Sequence, residues 1–410
     1  MKLVHTSDWH LGARLHEEDR SMEHAAFLDW LAALLVEEHA DVLLVAGDIF
    51  DVKAPSPHAQ SLYYGFLARA VKEHLCRKVV AIAGNHDSCK LLAAPSNLLG
   101  ELGISVVASA AGDLSREVVV VDGDDSRPAL AVAAVPFMYD AELANFGARE
   151  TAADASREEK VRAGWCAHSS AAIAAARSAA PGAPVVAAAH CTILDAEPSD
   201  AESERCRRVG GIEAYDPSPL AAADYVALGH LHVPQQVRGG AGRMFYSGSP
   251  LCMSFDEARF GKSVNVVTFG GPGEIPKVEK RAVPAFVPVL TLCDTPDVAK
   301  AKLAELVAAD RAKRRFVRIQ LKDFEGESRG HWTDLRAIAA DSGTLILEEN
   351  DVRPVMRDTS GLRAFAGRGI RQLKPRDVAE RKLRDSTRKF SESEIASYMA
   401  MFDEAAGGVE

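Results

Sequence analysis

The chain is 410 residues long, 47% hydrophobic and 26% charged, with a formal net charge of -10. At roughly 150 residues per domain this is one large domain plus one or two smaller ones, and such ordinary proportions exclude wholesale disorder. The acidic balance excludes a surface coated in positive charge, while a local basic face for nucleic acid remains open.

Cysteines 76, 89, 166, 191, 206, 252 and 293 are scattered and never form Cys-x-x-Cys. That pattern suits a reducing compartment and no structural zinc cluster. The first residues contain no signal-peptide core, and no segment approaches the roughly 20 apolar residues of a membrane span, so a cytoplasmic protein is expected.

In chain order, apolar runs recur at 2–5, 42–46, 79–83, 130–135, 185–189 and 225–228. They are mostly too short for helices and nearly continuous in apolar character, as strands buried on both faces are. Helical stretches at 22–39 and 58–74 lie between the early ones, and this alternation is the signature of a layered α/β core. From Pro234 to Ile275 the texture becomes rich in Gly, aromatic and β-branched residues, which reads as antiparallel strands and turns. A second unit spans 283–350. It has an extended run to Leu292, a helix with Thr295 as N-cap and Pro296 at N1, a strand at 316–321, a helix near 332–340 and a strand at 344–348.

From Gly361 to Phe390 the chain turns basic, with Arg363, Arg368, Arg371, Lys374, Arg376, Arg381, Lys382, Arg384, Arg388 and Lys389 opposed only by Asp377, Glu380 and Asp385. Ser391 and Glu394 then form a capping box for a last helix carrying Ile395, Tyr398, Met399 and Phe402. Its apolar face has little left to fold against and reads as a docking surface. The expected domains are 1–280, 283–352 and a tail at 360–410.

The chemistry lies just after the apolar runs. Asp8-Trp9-His10, Gly47-Asp48, Gly84-Asn85-His86-Asp87, Ala189-His190 and Gly229-His230-Leu231-His232 fall where loops at strand ends cluster in a layered protein. Carboxylate, imidazole and amide oxygen together suit manganese, magnesium, zinc or iron. Asp8, His10, Asp48, Asn85, His190, His230 and His232 are too many ligands for one ion. They suit two ions sharing a carboxylate, a pair that clamps both oxygens of a phosphoryl displacement.

His86 sits beside a ligand but one residue off its direction, and is the natural proton donor to a leaving alcohol. Glycines before Asp48, Asn85 and His230 let the backbone turn sharply toward the ions.

Taken singly, each group has a plainer reading. A lone strand-end His is more often a hydrogen-bonded structural residue, and Gly-Asp is a frequent turn pair. The conjunction of five such elements in order argues for the site. His5, His24, His39, His74 and His168 fall within apparent strands or helices and are taken as structural or surface residues. Phe260-Gly261-Lys262-Ser263 ends like a phosphate-binding loop but has Asp256 where that motif needs its first glycine. Cys191, beside a metal ligand, makes a poor nucleophile.

Ser-Asp-Trp-His-Leu-Gly (7–12), Ala-Gly-Asp-Ile-Phe-Asp (46–51), Ala-Gly-Asn-His-Asp-Ser (83–88), Ala-His (189–190) and Ala-Leu-Gly-His-Leu-His (227–232) resemble the five motifs of calcineurin-like metallophosphoesterases. Ser203-Glu204-Arg205 with Val209-Gly210-Gly211, and Tyr246 to Pro250 with Ser254 to Glu257, narrow the resemblance to the nuclease subunits of bacterial SbcC–SbcD-type complexes. Lys374 to Arg381 resembles the segment by which those nucleases dock their partner.

The resemblance implies a four-layer α/β/β/α sandwich with a small α+β capping domain and a helical C-terminal tail. It further implies two divalent ions, usually manganese. Asp8, His10 and His232 would hold one, Asn85, His190 and His230 the other, with Asp48 bridging and His86 as general acid. The implied activity is cleavage of DNA at duplex ends and hairpins by in-line attack of a metal-activated hydroxide. The implied partners are an SbcC-like ATPase docked by the tail and a second copy of the chain, with helices 22–39 and 58–74 as the dimer contact. A small-nucleotide phosphodiesterase and a non-catalytic scaffold for an ATPase are the competing readings. A second domain with a basic tail speaks against the first, and a full set of ligands against the second.

Overall fold

The computed structural model describes residues 1–110, 112–194, 196, 214–271, 273–324, 326–352, 376, 380, 383, 384 and 391–406. Residues 203–211 and most of the basic segment 361–390 lie outside the described residues. The chain forms two compact units, one built from Met1–Leu321 and Gly326–Asp351, the other from Lys322–Glu325 and Val352–Glu410.

The first unit is α/β, with two six-stranded sheets. The first sheet orders strands β14 (Lys277–Ala282), β13 (Ser263–Thr268), β1 (Lys2–Thr6), β4 (Val42–Ala46), β5 (Lys78–Ile82) and β6 (Ile104–Val107). The second orders β11 (Gln235–Gln236), β12 (Met244–Tyr246), β10 (Tyr225–Gly229), β9 (Val185–His190), β8 (Pro128–Val135) and β7 (Val118–Asp122). The strands β1, β4, β5 and β6 run parallel, as do β8, β9, β10 and β12. Parallel pairing brings their C-terminal loops to one edge. Within 234–275, β13 is antiparallel to β1 and β11 to β12 as expected, whereas β12 runs parallel to β10; β14 pairs antiparallel with β13 beyond that stretch.

The continuous apolar runs are explained by two buried faces. Successive side chains alternate sides, so Val42 and Leu44 enter the core between the sheets with Leu130, Val132, Val186 and Ala227. Leu43 and Val45 point the other way, toward Phe27, Leu31 and Leu35 of α1 (Ser21–Glu37) and Tyr63, Phe66 and Leu67 of α2 (Pro57–Lys72). The outer face of the second sheet is covered in the same manner. Val161, Trp165 and Ile173 of a long helix, Arg157–Ala179, pack on Ala131, Ala133, Ala187 and Val226. Helix, sheet, sheet and helix make four layers.

Local chemistry sets the helix starts. Pro57 follows Ser56, whose hydroxyl accepts from Ala59 N at 3.2 Å, and Ser156 with Glu159 forms a capping box. Trp9 is fully buried under the first loop. Its Nε1 donates to Thr6 Oγ1 at 3.0 Å and its ring meets Phe27, Tyr63 and Phe66 edge-on.

The small α+β portion carries a three-stranded sheet ordered β15 (Val289–Asp294), β16 (Arg315–Lys322) and β17 (Thr344–Val352). Its helices are Pro296–Ala309 and Arg329–Ala339. Thr295 has the extended backbone of an N-cap, but its hydroxyl makes no capping bond, so Pro296 carries that start.

In the second unit the helix Glu392–Ala406 opens with Ser391 and Glu394 capping one another. Its apolar face is less open than its sequence suggests. Ile395 and Met399, one turn apart, are buried, while Tyr398 and Met401 are exposed. Among the described residues no helix is long and apolar enough to cross a membrane.

Candidate metal centre

The five loops converge at the C-terminal edge of the parallel strands. Asp8 N donates to Gly47 O at 2.9 Å and His10 N to Asp48 O at 3.0 Å, which ties the loop after β1 to the loop after β4. Asp8, His10, Asp48 and His230 all have positive φ, at 53°, 45°, 49° and 99°. Such backbone costs on the order of 1–3 kcal/mol per residue and persists where the surroundings over-determine it, commonly at functional sites.

Asp8 Oδ1 accepts His230 N at 2.9 Å, and the carboxylate also takes the Ser7 hydroxyl. Asp87 is the central staple. Its buried carboxylate accepts Ile49 N (3.1 Å), Phe50 N (2.9 Å) and Gly84 N (2.9 Å), fixing the Asp48 and Asn85 loops to one another. Burial, with Asp48 nearby, raises its pKa to about 7.

Among the described residues three groups of donor atoms lie close together, one of them His10, Asp51 and His86 at the rim, and the expected ligands make up the other two. In the first, Asp8, His10 and His232 each offer an atom within 4.8 Å of the others. His232 Nδ1–H donates to Glu257 Oε1 at 3.1 Å, which leaves its lone pair on Nε2. That Nε2 faces His10 Nε2 at only 3.2 Å. Two buried ring nitrogens so opposed need a proton or a cation between them.

The second group is Asp48, His190 and His230. His190 Nδ1–H donates to Ala46 O at 2.8 Å, which turns its Nε2 toward Asp48 Oδ2 at 3.3 Å. Asn85 Oδ1 lies 3.1 Å from His190 Nε2 and 2.9 Å from His230 Nδ1. Asp48 Oδ2 is also 3.6 Å from His10 Nε2. One carboxylate oxygen therefore faces both groups.

All seven residues expected as ligands are in this cluster. Their donor set of carboxylate, imidazole and amide oxygen, with the second ring nitrogens of His232 and His190 anchored on a carboxylate and a carbonyl, fits divalent metal.

Electrostatics agree with that fit. Burial alone would raise the Asp48 pKa, but His190, His10 and His86 outweigh it and hold the carboxyl well below the usual range. Burial opposes charge on His190, yet Asp48 and Asp8 raise its pKa to about 9. Burial, with His190 beside it, lowers His230 to about 3. The buried Asp48 carboxylate thus stays charged among the imidazoles.

His86 lies at the rim, half-buried, its ring centroid 4.9 Å from that of His10. Its Nδ1–H donates to the Asp51 carbonyl at 2.6 Å, so proton exchange falls to Nε2. Its backbone N donates to Asp48 Oδ1 at 2.8 Å.

The glycines act on the ligands more than on the ions. A Cβ at Gly47 would enter the His190 ring, one at Gly84 the Asp48 carboxylate and one at Gly229 the Ala46 carbonyl. Spacing in the sequence does not single out Asp87, Glu257 or Asp51. Asp87 adjoins His86 directly, but the polar stretch around it gives no sign that it faces three backbone N–H groups.

The calcineurin-like phosphoesterase model matches residues 1–234, and the chain belongs to that family. Among relatives, it is 36% identical over 319 residues to the SbcD component of nuclease SbcCD from Rhodobacter capsulatus, covering 75% of each chain. It is 32% identical over 292 residues to the same component from Escherichia coli K12, covering 71% of this chain and 70% of that one. The Bacillus subtilis counterpart is 36% identical over 276 residues, covering 67% of each.

Proposed function

We propose that this protein is the metal-dependent nuclease subunit of an SbcC–SbcD-type complex, acting on DNA ends and hairpins. The observation that carries the reading is the opposition of His10 Nε2 and His232 Nε2 at 3.2 Å, with Asp48 Oδ2 reaching both donor groups. Asp8, His10 and His232 would hold one divalent ion and Asn85, His190 and His230 the other, with Asp48 placed to serve both; manganese is the proposed metal.

Such ions, when bound, activate water and neutralise charge building on the phosphoryl group. The chain's own residues do the rest. Glu257 and Ala46 O fix the tautomers of His232 and His190 so that lone pairs point inward. His86, held through Nδ1 by Asp51 O, presents Nε2 to donate a proton to the departing sugar oxygen.

The proposed domains are a phosphoesterase at 1–280, a capping domain at 283–352 and a docking tail at 360–410 for an SbcC-like ATPase. Two copies pair through α1 and α2 within a heterotetramer, at the nucleoid in the cytoplasm. Labelled hairpin and blunt duplex DNA, incubated with manganese with and without the ATPase, tests the reading. Cleavage of both substrates supports it. Hydrolysis of small phosphodiesters alone would overturn the DNA assignment.

A further inference from the structure

The short turn Phe255–Arg259 touches both the metal centre and the small α+β domain. On one side, Glu257 is buried, with Oε1 on His232 Nδ1 at 3.1 Å and Oε2 accepting Lys262 Nζ at 2.6 Å and Met253 N at 3.0 Å. Lys262 Nζ also reaches His232 O at 3.0 Å and Ser249 Oγ at 2.9 Å. Ring and carbonyl of His232 are thus both tied to one buried ion pair.

On the other side, Arg318 of β16 donates to Asp256 Oδ1 at 2.8 Å and places its guanidinium 5.4 Å from the Phe255 ring. Phe255 packs with Phe316 of β16 and with Leu15.

Leu15 belongs to a two-stranded hairpin, Arg14–Leu15 with Glu18–Asp19, that begins four residues after His10. The small domain grips this hairpin too, through Arg314 to Glu18 at 3.0 Å and His16 to Glu348 at 3.5 Å. Both places it grips lead to the same donor group, His10 by chain connection and His232 by hydrogen bond.

The junction is not solidly filled. A cleft of about 340 Å³ opens between Phe255, Asp256 and Arg259 on the turn and Leu290, Thr291 and Arg318 on the small sheet. The Asp256–Arg318 ion pair and the packing of Phe255 on Phe316 bridge this cleft, so a shift of the small sheet reaches the turn through them.

We propose that Glu257 is a positioning residue for His232 and that the small domain, through Asp256–Arg318 and Phe255, sets how well the Asp8/His10/His232 group holds its ion. This rests on the two-metal reading above. In this arrangement, movement of the small domain, as when duplex is laid against it, is transmitted to one ion of the pair.

The test is a manganese titration of the full chain, following free Mn²⁺ by electron paramagnetic resonance, with thermal melting in chelator as a fold control. Wild type takes up two ions, and His232→Ala identifies the step belonging to its group. Glu257→Gln should weaken that step alone by ~10–100-fold. Arg318→Ala and Asp256→Asn, at the junction, should weaken the same step by about 5-fold, the low end of inter-site coupling.

An unchanged titration in Glu257→Gln, or equal weakening of both steps, overturns the positioning role. Weakening in Glu257→Gln but in neither junction variant overturns the coupling. Fewer than two ions on wild type overturns the two-metal reading itself, a result visible without any variant.

Discussion

His86→Ala separates proton donation from metal binding. The backbone N of residue 86, which donates to Asp48 Oδ1 at 2.8 Å, survives the change. The Nδ1–H bond to Asp51 O and the half-buried ring with its edge contact to His10 are lost, costing on the order of 1 kcal/mol in stability. Two-ion uptake should therefore match wild type. Loss of a general acid costs roughly 10²–10⁴-fold in rate, or about 2.7–5.4 kcal/mol of barrier.

The discriminating assay compares two substrates. Duplex DNA leaves as a sugar alkoxide that needs a proton, whereas a nitrophenyl phosphodiester leaves as a stable phenolate that does not. The variant should lose about 10²-fold or more on DNA and little on the nitrophenyl ester. Equal loss on both, or lost metal, would refute the assignment of His86 as acid.

His24 is buried with neither ring nitrogen hydrogen-bonded among the described residues, and burial, with Arg20 nearby, lowers its pKa to about 3. A depressed histidine destabilises the fold as pH falls below the unfolded value of about 6.5, because only the unfolded chain takes the proton. His24→Phe should thus remove about 1.4 kcal/mol from the stability lost between pH 7.5 and 5.5, read by urea unfolding of the metal-free protein.

Asp87→Ala leaves the N–H groups of Ile49, Phe50 and Gly84 unpaired and should cost on the order of 3 kcal/mol, visible as a lowered Tm. Gly47→Ala combines a φ of 91° with intrusion on the His190 ring, and calorimetry should show metal affinity lost along with stability. Chelation should abolish cleavage, and added manganese should restore it.

The cluster was legible because each candidate ligand sits within a few residues of the end of an apolar run, where a parallel strand gives way to a loop. The helix and middle strand of the three-stranded sheet region were legible from Pro296 and the alternating β16. The helix Arg157–Ala179 was not, because alanine on both faces erases the contrast that marks an amphipathic stripe. The direction of β12 was hidden because pairing depends on which strand lies beside it, and a three-residue segment does not encode its partner. Glu257 lies 25 residues from His232 on a polar-looking turn, and only the fold shows that its carboxylate is buried against that ring.

The central claim is that Asp48 is shared between two ions held by the two donor groups. Anomalous difference maps from crystals soaked in manganese test it directly. The account predicts two peaks roughly 3.5–4 Å apart, one beside Asp8, His10 and His232, the other beside Asn85, His190 and His230, with Asp48 touching both. A single peak, or a pair that Asp48 does not join, would contradict it.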